Sequence, residues 1–146
     1  ERSVFVSADK KNKVAPVICY ESIFGEYCTG YVRNGADALF VVTNDGWWDA
    51  TPGYQQHADF ARLRAIELRR PVAQSGNSGR SCFIDIFGNE TKATTYGVDA
   101  AIKQDIFAPS TITFYTLHGD LIARMAIIMA AAIFAFSLVI QFKTKN

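Results

Sequence analysis

The stretch VICYESIFGE, residues 17–26, places a thiol, a phenol and a carboxylate side by side at Cys19, Tyr20 and Glu21, where an apolar run ends. A cysteine thiolate can attack a carbonyl and carry the acyl group as a thioester. The backbone N–H after the nucleophile can meet the oxyanion, and here it belongs to Tyr20. Glu21 could hold a partner group or shuttle a proton. Cysteine is more often a small buried hydrophobe. Cys28 and Cys82, within a helical stripe and a strand, are read that way, and Cys19 is not.

The elements that must position these groups follow from periodicity. Residues 14–20 are apolar and β-branched and read as a buried strand, with Pro16 near its start. From about Ser22 the period changes. Phe24, Tyr27, Cys28 and Tyr31 share one helical face, and Asn34-Gly35 ends the helix. A helix starting there would aim its N-terminal field at Cys19 and favour the thiolate. ADALFVVT is then a continuous apolar strand of the kind buried on both faces, giving strand–helix–strand. Ligands of open α/β sheets bind at the C-terminal strand edge, where Cys19 falls.

NDGWWDATPGYQ reads as a loop, and residues 57–70 as a helix with two apolar stripes, ended by Pro71. PVAQSG and SCFIDIFG read as strands, the second closing on a Gly88-Asn89 turn, and VDAAIKQDIF as one more. The 146 residues suffice for one ordinary domain. Residues 121–142 are nearly continuous apolar sequence, and a membrane-spanning helix needs about 20 such residues. Apolar on all faces, without Gly or Pro and followed by KTKN, the segment reads as a membrane span rather than a core helix. Lys143 and Lys145 place its C-terminal end on the cytoplasmic side. The opening ERSVFVSADKK has no initiator Met or signal architecture and reads as part of a longer chain.

CYESIFGEY, followed by NDGWW and QQHADFARLRAIELRRPVAQSGNSGRS, resembles the second half of a nitrilase-superfamily domain. Within it the set is similar to the apolipoprotein N-acyltransferase family, membrane enzymes that finish bacterial lipoproteins. The likeness runs from about residue 14 to residue 107, with a final membrane helix in the expected place. As a set these motifs are specific; singly each is weak. The resemblance implies an α/β fold, the C-terminal half of a nitrilase-like α-β-β-α sandwich, followed by one transmembrane helix. Residues 1–118 would be the partial catalytic domain, and 119–146 the helix and a short cytoplasmic tail.

It also implies a Glu–Lys–Cys triad with Cys19 as nucleophile and Tyr20 and Glu21 as adjoining functional residues. Asn77 and Gly79 match the family's loop near the site. The family's Glu and Lys precede the cysteine, and Glu1, Lys10, Lys11 and Lys13 stand in no recognisable version of their motifs, so neither role is carried onto them. The implied reaction takes a fatty acyl chain from a membrane phospholipid through a Cys19 thioester. The acceptor is the N-terminal amine of a diacylglyceryl-cysteine in an apolipoprotein. A monomer is expected at the outer face of the bacterial cytoplasmic membrane, with no cofactor, and this chain alone should be inactive and poorly stable.

Other residues have their own readings. Trp47 and Trp48 either anchor their loop or touch acyl chains at the membrane interface. Asn44 could line the pocket, as could Asp45, which could equally be a simple turn residue. His57 invites a Cys–His reading, but lacks the flanking pattern and is read as a structural hydrogen-bonder. Arg62, Arg64, Arg69 and Arg70 are read as a solvated or salt-bridged helix, with anionic headgroups as the minor alternative. SGNSGRS lacks the Lys-Ser/Thr ending of a phosphate loop, and Asn89-Glu90-Thr91 is read as a chance sequon. Lys plus Arg total 15 against 14 for Asp plus Glu, so there is no basic excess to bind nucleic acid. Three cysteines without a CxxC pair argue against structural zinc and a disulfide scaffold. Two rival functions remain: a membrane-tethered nitrilase or amidase hydrolysing a small C–N substrate, and an anchored module that has lost the triad.

Overall fold

A computed structural model describes residues 2–145, except the side chains of Thr144 and Lys145. Glu1, Asn146 and the charge assigned to Lys145 lie outside the described residues. Six strands form one mixed sheet in sequence order. They are β1 (Phe5–Val6), β2 (Lys13–Ile18), β3 (Ala38–Thr43), β4 (Val72–Gly76), β5 (Cys82–Ile84) and β6 (Glu90–Thr91). The central pairs β2/β3 and β3/β4 are parallel, and the flanking pairs antiparallel. Parallel neighbours need a crossover, and α1 (Gly25–Arg33) and α2 (Gly53–Leu68) supply the two required.

One face of the sheet makes the core. Ala15, Val17, Leu39, Val41, Val72, Cys82 and Ile84 alternate with outward residues and are at most 1% exposed. Cys28, Tyr31 and Val32 of α1, with Ala61, Ala65 and Leu68 of α2, close over them. Burying Leu39 or Leu68 contributes about 2–3 kcal/mol each. The other face differs from expectation. β3 was expected to be buried on both sides, yet Val42 is 53% exposed and Ile18, beside it on β2, 55%. An unbroken apolar run reports that both faces avoid water, and the described residues cover only one.

The helices also depart from the sequence pattern in detail. Cys19–Ile23 forms a 3-10 turn, and α1 starts only at Gly25. Phe24 is therefore exposed rather than part of the inward face, which Tyr27, Cys28 and Tyr31 do form. The cause is local: the Glu21 carboxylate accepts the Ile18 N–H at 2.9 Å and tightens the chain before the helix can begin. At its other end α1 stops at Asn34-Gly35 as the pattern requires. Gly35 adopts φ +91°, and the Ala36 N–H reaches back to the Tyr31 carbonyl at 3.0 Å. Helix α2 starts at Gly53, inside the expected loop, and its apolar outer residues Leu63 and Ile66 stay exposed.

Two of the four arginines depart from the solvated alternative, and Arg64 takes the salt-bridged one. Arg64 and Arg70 are buried. Arg64 donates to the carbonyls of Ser22 and Ile23 and pairs with Glu67. Arg70 donates to Ala36 O at 2.8 Å and Thr111 O at 2.7 Å. Loop carbonyls left without partners by the helix ends need donors, and a planar guanidinium supplies several at once.

VDAAIKQDIF is not a strand either. It is held to β6 through side chains, Thr91 to Gln104 at 2.8 Å and Lys92 to Lys103 O, with no ladder. Gln104, Asp105 and Ile106 face Val14 and Phe40 across a cleft on the open side of the sheet. The chain then returns to the helices, where the Thr113 hydroxyl donates to Glu67 O at 2.7 Å. A short α3 (Phe114–His118) follows, its Thr116 carbonyl held by Arg33 at 2.7 Å.

Helix α4 (Leu121–Lys145) completes the chain. Among the described residues one helical stretch, Leu121–Lys143, is long and apolar enough to cross a membrane, and none of its most apolar window is buried. Arg124 at its start forms an ion pair with Glu26 of α1, tying the helix to the domain.

Losing the Arg70 guanidinium strands two loop carbonyls. Charged hydrogen bonds of this kind contribute about 1.5–3 kcal/mol each. Arg70→Leu in the full-length protein is expected to lower stability by about 3 kcal/mol and to speed protease cleavage within residues 98–113. An unchanged cleavage pattern and melting midpoint would show that the guanidinium is not the tether.

Candidate active site

The parallel strands β2, β3 and β4 end at one edge of the sheet, with Ile18 opposite Val42 and Thr43 opposite Gly76. The residue after each strand arrives there: Cys19 after β2, Asn44 and Asp45 after β3, Asn77 after β4. Lys10, Lys11 and Lys13 lie at the opposite end of β2. This is the edge at which open α/β sheets take ligands.

Cys19 is partly exposed, unpaired, and held at φ +50°. A non-glycine residue in this left-handed region costs about 1–2 kcal/mol, so the surroundings must impose it. They grip both ends of the residue. Its carbonyl accepts from Ser22 Oγ at 2.9 Å and lies 3.2 Å from His57 Nε2, while Thr43 Oγ1 reaches its sulfur at 3.3 Å. The expected helix N-terminus is displaced, because Cys19 itself opens the 3-10 turn and α1 begins at Gly25.

Glu21 has both oxygens engaged. Oε2 takes the Ile18 N–H at 2.9 Å and Oε1 the Tyr27 hydroxyl at 2.8 Å. Tyr20 is exposed, and its ring stacks on His57 with centroids 5.4 Å apart and planes 25° apart. Trp48 packs on both, 5.7 Å from Tyr20 and 5.6 Å from His57. The paired tryptophans therefore separate: Trp48 anchors beside the cysteine turn, while Trp47 is 83% exposed. Asn44 Oδ1 accepts from Gly46 N and from Asn77 Nδ2, each at 3.2 Å, so the ends of β3 and β4 are joined.

Beneath this surface lies a buried polar cluster. Asp45 and His57 are 0% and 3% exposed, and Asp45 Oδ1 stands 2.8 Å from His57 Nδ1. Thr43 Oγ1 donates to the same oxygen at 2.7 Å. Asp45 Oδ2 has no hydrogen-bond partner among the described residues. It is packed against Gly79, where an added Cβ would stand 2.3 Å away, so only glycine fits. Asp45 is thus neither a simple turn residue nor a pocket wall. His57 sits within α2 and turns its ring to the main-chain carbonyl of Cys19, whereas Thr43 meets the sulfur.

Ser22, Thr43 and Tyr27 escaped the sequence reading. A signal existed for Thr43, the polar residue closing an apolar strand at the same edge as Cys19, and for Ser22, one turn beyond the cysteine. Tyr27 carried none, since tyrosine on a helical stripe reads as core. Among the described residues no group of three or more His, Cys, Asp and Glu side chains is arranged to hold a metal.

A sequence profile of the family described as Carbon-nitrogen hydrolase matches residues 2–119. The chain is 40% identical over 121 residues to a protein of Chlorobaculum tepidum named apolipoprotein N-acyltransferase, covering 83% of this chain and 23% of that one. A Shewanella oneidensis protein of the same name is 44% identical over 82 residues, covering 56% and 16%. This chain therefore spans a quarter or less of these curated relatives. Among solved structures it resembles Saccharomyces cerevisiae Nit3, of the nitrilase superfamily, with a TM-score of 0.58 at 20% identity, covering 68% of this chain and 38% of that one. That likeness establishes the nitrilase-like fold.

Burial pushes the thiols of Cys28 and Cys82 each up to about 12, so both stay protonated at pH 8. Iodoacetamide at pH 8 is expected to alkylate Cys19 in the folded full-length protein, and Cys28 and Cys82 only after denaturation. Mass-spectrometric mapping that finds Cys28 or Cys82 modified in the folded protein would contradict the buried positions given to them.

Proposed function

Because the chain belongs to the carbon-nitrogen hydrolase family, we propose that it carries the nucleophile of a membrane N-acyltransferase acting on bacterial apolipoproteins. The observation that carries this reading is Cys19, held left-handed at the C-terminal strand edge and partly exposed. The shared name of the relatives from Chlorobaculum tepidum and Shewanella oneidensis supports the substrate class.

In the proposed reaction the Cys19 thiolate attacks the ester carbonyl of a phospholipid. A carbon–sulfur bond forms, the carbon–oxygen bond breaks, and lysophospholipid leaves with a proton. The free amine of diacylglyceryl-cysteine then attacks the thioester, an amide forms, and the thiolate is regenerated as the amine gives up a proton. Two half-reactions through one covalent intermediate predict ping-pong kinetics. The Tyr20 N–H is assigned to the oxyanion. Asn44 and Asn77 at the strand ends and Trp48 over the turn are assigned to the substrate wall, with exposed Trp47 meeting the acyl chain. Glu21 is assigned to holding the turn in register, since both its oxygens are bonded.

Residues 1–118 would belong to the catalytic domain of a monomer, and 119–146 to its membrane anchor and tail. Both substrates are lipids, so a span beginning right after α3 keeps the site beside its donor. The reading places the domain on the outer face of the cytoplasmic membrane.

The test uses the full-length protein in vesicles of phospholipid with a labelled acyl chain. A hydroxylamine-sensitive label is expected on Cys19, discharged into an amide when a diacylated lipopeptide with a free N-terminus is added. Cys19→Ala should carry no label. Equal labelling of that variant would remove Cys19 as the nucleophile. Discharge by water alone, with no amide formed, would make the protein a hydrolase of the same fold.

A further inference from the structure

Cys19 must be kept in a conformation that its side chain disfavours. The group positioned to do so belongs to neither strand β2 nor the cysteine turn. His57 comes from α2 and reaches the turn from below, its Nε2 lying 3.2 Å from the Cys19 carbonyl and 3.1 Å from Ser22 Oγ. Asp45 and Thr43, at the end of β3, hold the other edge of the ring, at 2.8 and 3.3 Å from Nδ1. The rings of Tyr20 and Trp48 cover it.

We propose that His57, oriented by Asp45, is a positioning residue for the nucleophile: it donates from Nε2 to the Cys19 carbonyl and so fixes the backbone turn that presents Sγ. The donor direction follows from the partners. A carbonyl oxygen can only accept, so a bond at this position requires a proton on Nε2, and because the Asp45 carboxylate likewise only accepts, holding both contacts as hydrogen bonds requires a proton on each ring nitrogen. Ser22 Oγ supplies a second donor to the same carbonyl at 2.9 Å, which makes the oxygen a two-point anchor. His57 takes no proton from Cys19 in this arrangement, because the ring faces the main chain while Thr43 meets the sulfur.

Burial supports the assignment. An ionisable pair withdrawn from water carries a desolvation cost of several kcal/mol, and Asp45 Oδ2 adds an unpartnered buried oxygen. A hydrophobic pair would fill the same space without that cost. What it could not supply is a rigid donor aimed at a backbone carbonyl. Gly79, closed against Asp45 Oδ2, fixes the carboxylate in turn.

The part of this role that concerns catalysis rests on the acyl-transfer reading, so two readouts are needed. In the full-length protein, iodoacetamide alkylation of Cys19 reports the turn without any lipid substrate. Thioester formation from labelled phospholipid reports the reaction. His57→Phe is expected to slow both on the order of 10²-fold, the loss typical of a misplaced reacting group, with KM for phospholipid changed by less than about twofold. His57→Gln places an amide N–H where Nε2 stood and should recover most of the loss, whereas His57→Asn, which places it at the Nδ1 position, should not. Cys28 and Cys82 serve as the folding control, staying unmodified in an intact variant.

Wild-type alkylation and acylation rates in folded His57→Phe would overturn the proposal. So would Gln and Asn variants that behave alike, since the effect would then not come from a donor to the carbonyl. If His57→Phe unfolds, the comparison of Gln with Asn decides. A wild-type protein that forms no thioester, yet loses Cys19 alkylation in the Phe variant, would sink the acyltransfer reading and leave the positioning role standing.

Discussion

The contact between Asp45 Oδ1 and His57 Nδ1, 2.8 Å long and closed off from water, joins three parts of the fold that sequence keeps far apart. Asp45 follows the middle strand, His57 rides on the second crossover helix, and the far side of the ring meets the turn after β2. Shift any one of these and the others lose a buried partner. Unsatisfied charged groups in a core cost several kcal/mol, so the cluster resists sliding of α2 along the sheet. The parallel register of β2, β3 and β4 then becomes a functional constraint. It decides that Ile18, Val42 and Ser75 finish level with one another, and hence that the residues following them can meet.

A second set of contacts holds the domain from outside the apolar core. Arg64, Arg70 and Arg33 each donate to main-chain carbonyls of loops or helix ends. Together with Thr113 and the Glu26–Arg124 pair they link α1, α2, α3 and the start of α4 into one layer. The long apolar helix is therefore attached to the layer that carries His57, while the opposite face of the sheet stays open around Ile18 and Val42.

The central elements were legible because their signals are local. Continuous apolar runs gave β2 and β3, helical spacing gave the inward face of α1, and Asn34-Gly35 marked its end. What failed were inferences needing a partner. Phe24 sits at helical spacing from Cys28 and Tyr31, but a single bond from Glu21 to Ile18 N–H delays the helix and leaves it outside. VDAAIKQDIF has strand composition, yet its sheet neighbour is only two residues long, and side chains rather than a ladder hold it. Arg64 and Arg70 look like ordinary solvated positions until their carbonyl acceptors, distant in sequence, are known. In the site, Cys19 and its neighbours announced themselves through unusual company. Thr43 and Ser22 did not, since a hydroxyl at a strand end or in a turn is common, and only the folded register shows which cysteine it faces.

That contrast bears on how the chemistry is divided. The polar side chains that meet the cysteine turn bond mainly to one another and to the main chain: Glu21 to a backbone N–H and a phenol, Asp45 Oδ1 to an imidazole, Ser22 and His57 to a carbonyl. Thr43 reaches the sulfur, but a hydroxyl is too weakly basic to hold a thiol's proton near neutral pH. On the reading proposed above, these residues shape and aim Cys19. A base for the thiol, on the reading proposed above, has to be a group outside this cluster that approaches the open side of the strand edge. The partial exposure of Cys19 is what leaves room for it. Rigid presentation by one set of groups and proton transfer by another is a workable division, because a base that also had to brace the strained turn could not move between its protonated and free geometries without releasing the strain.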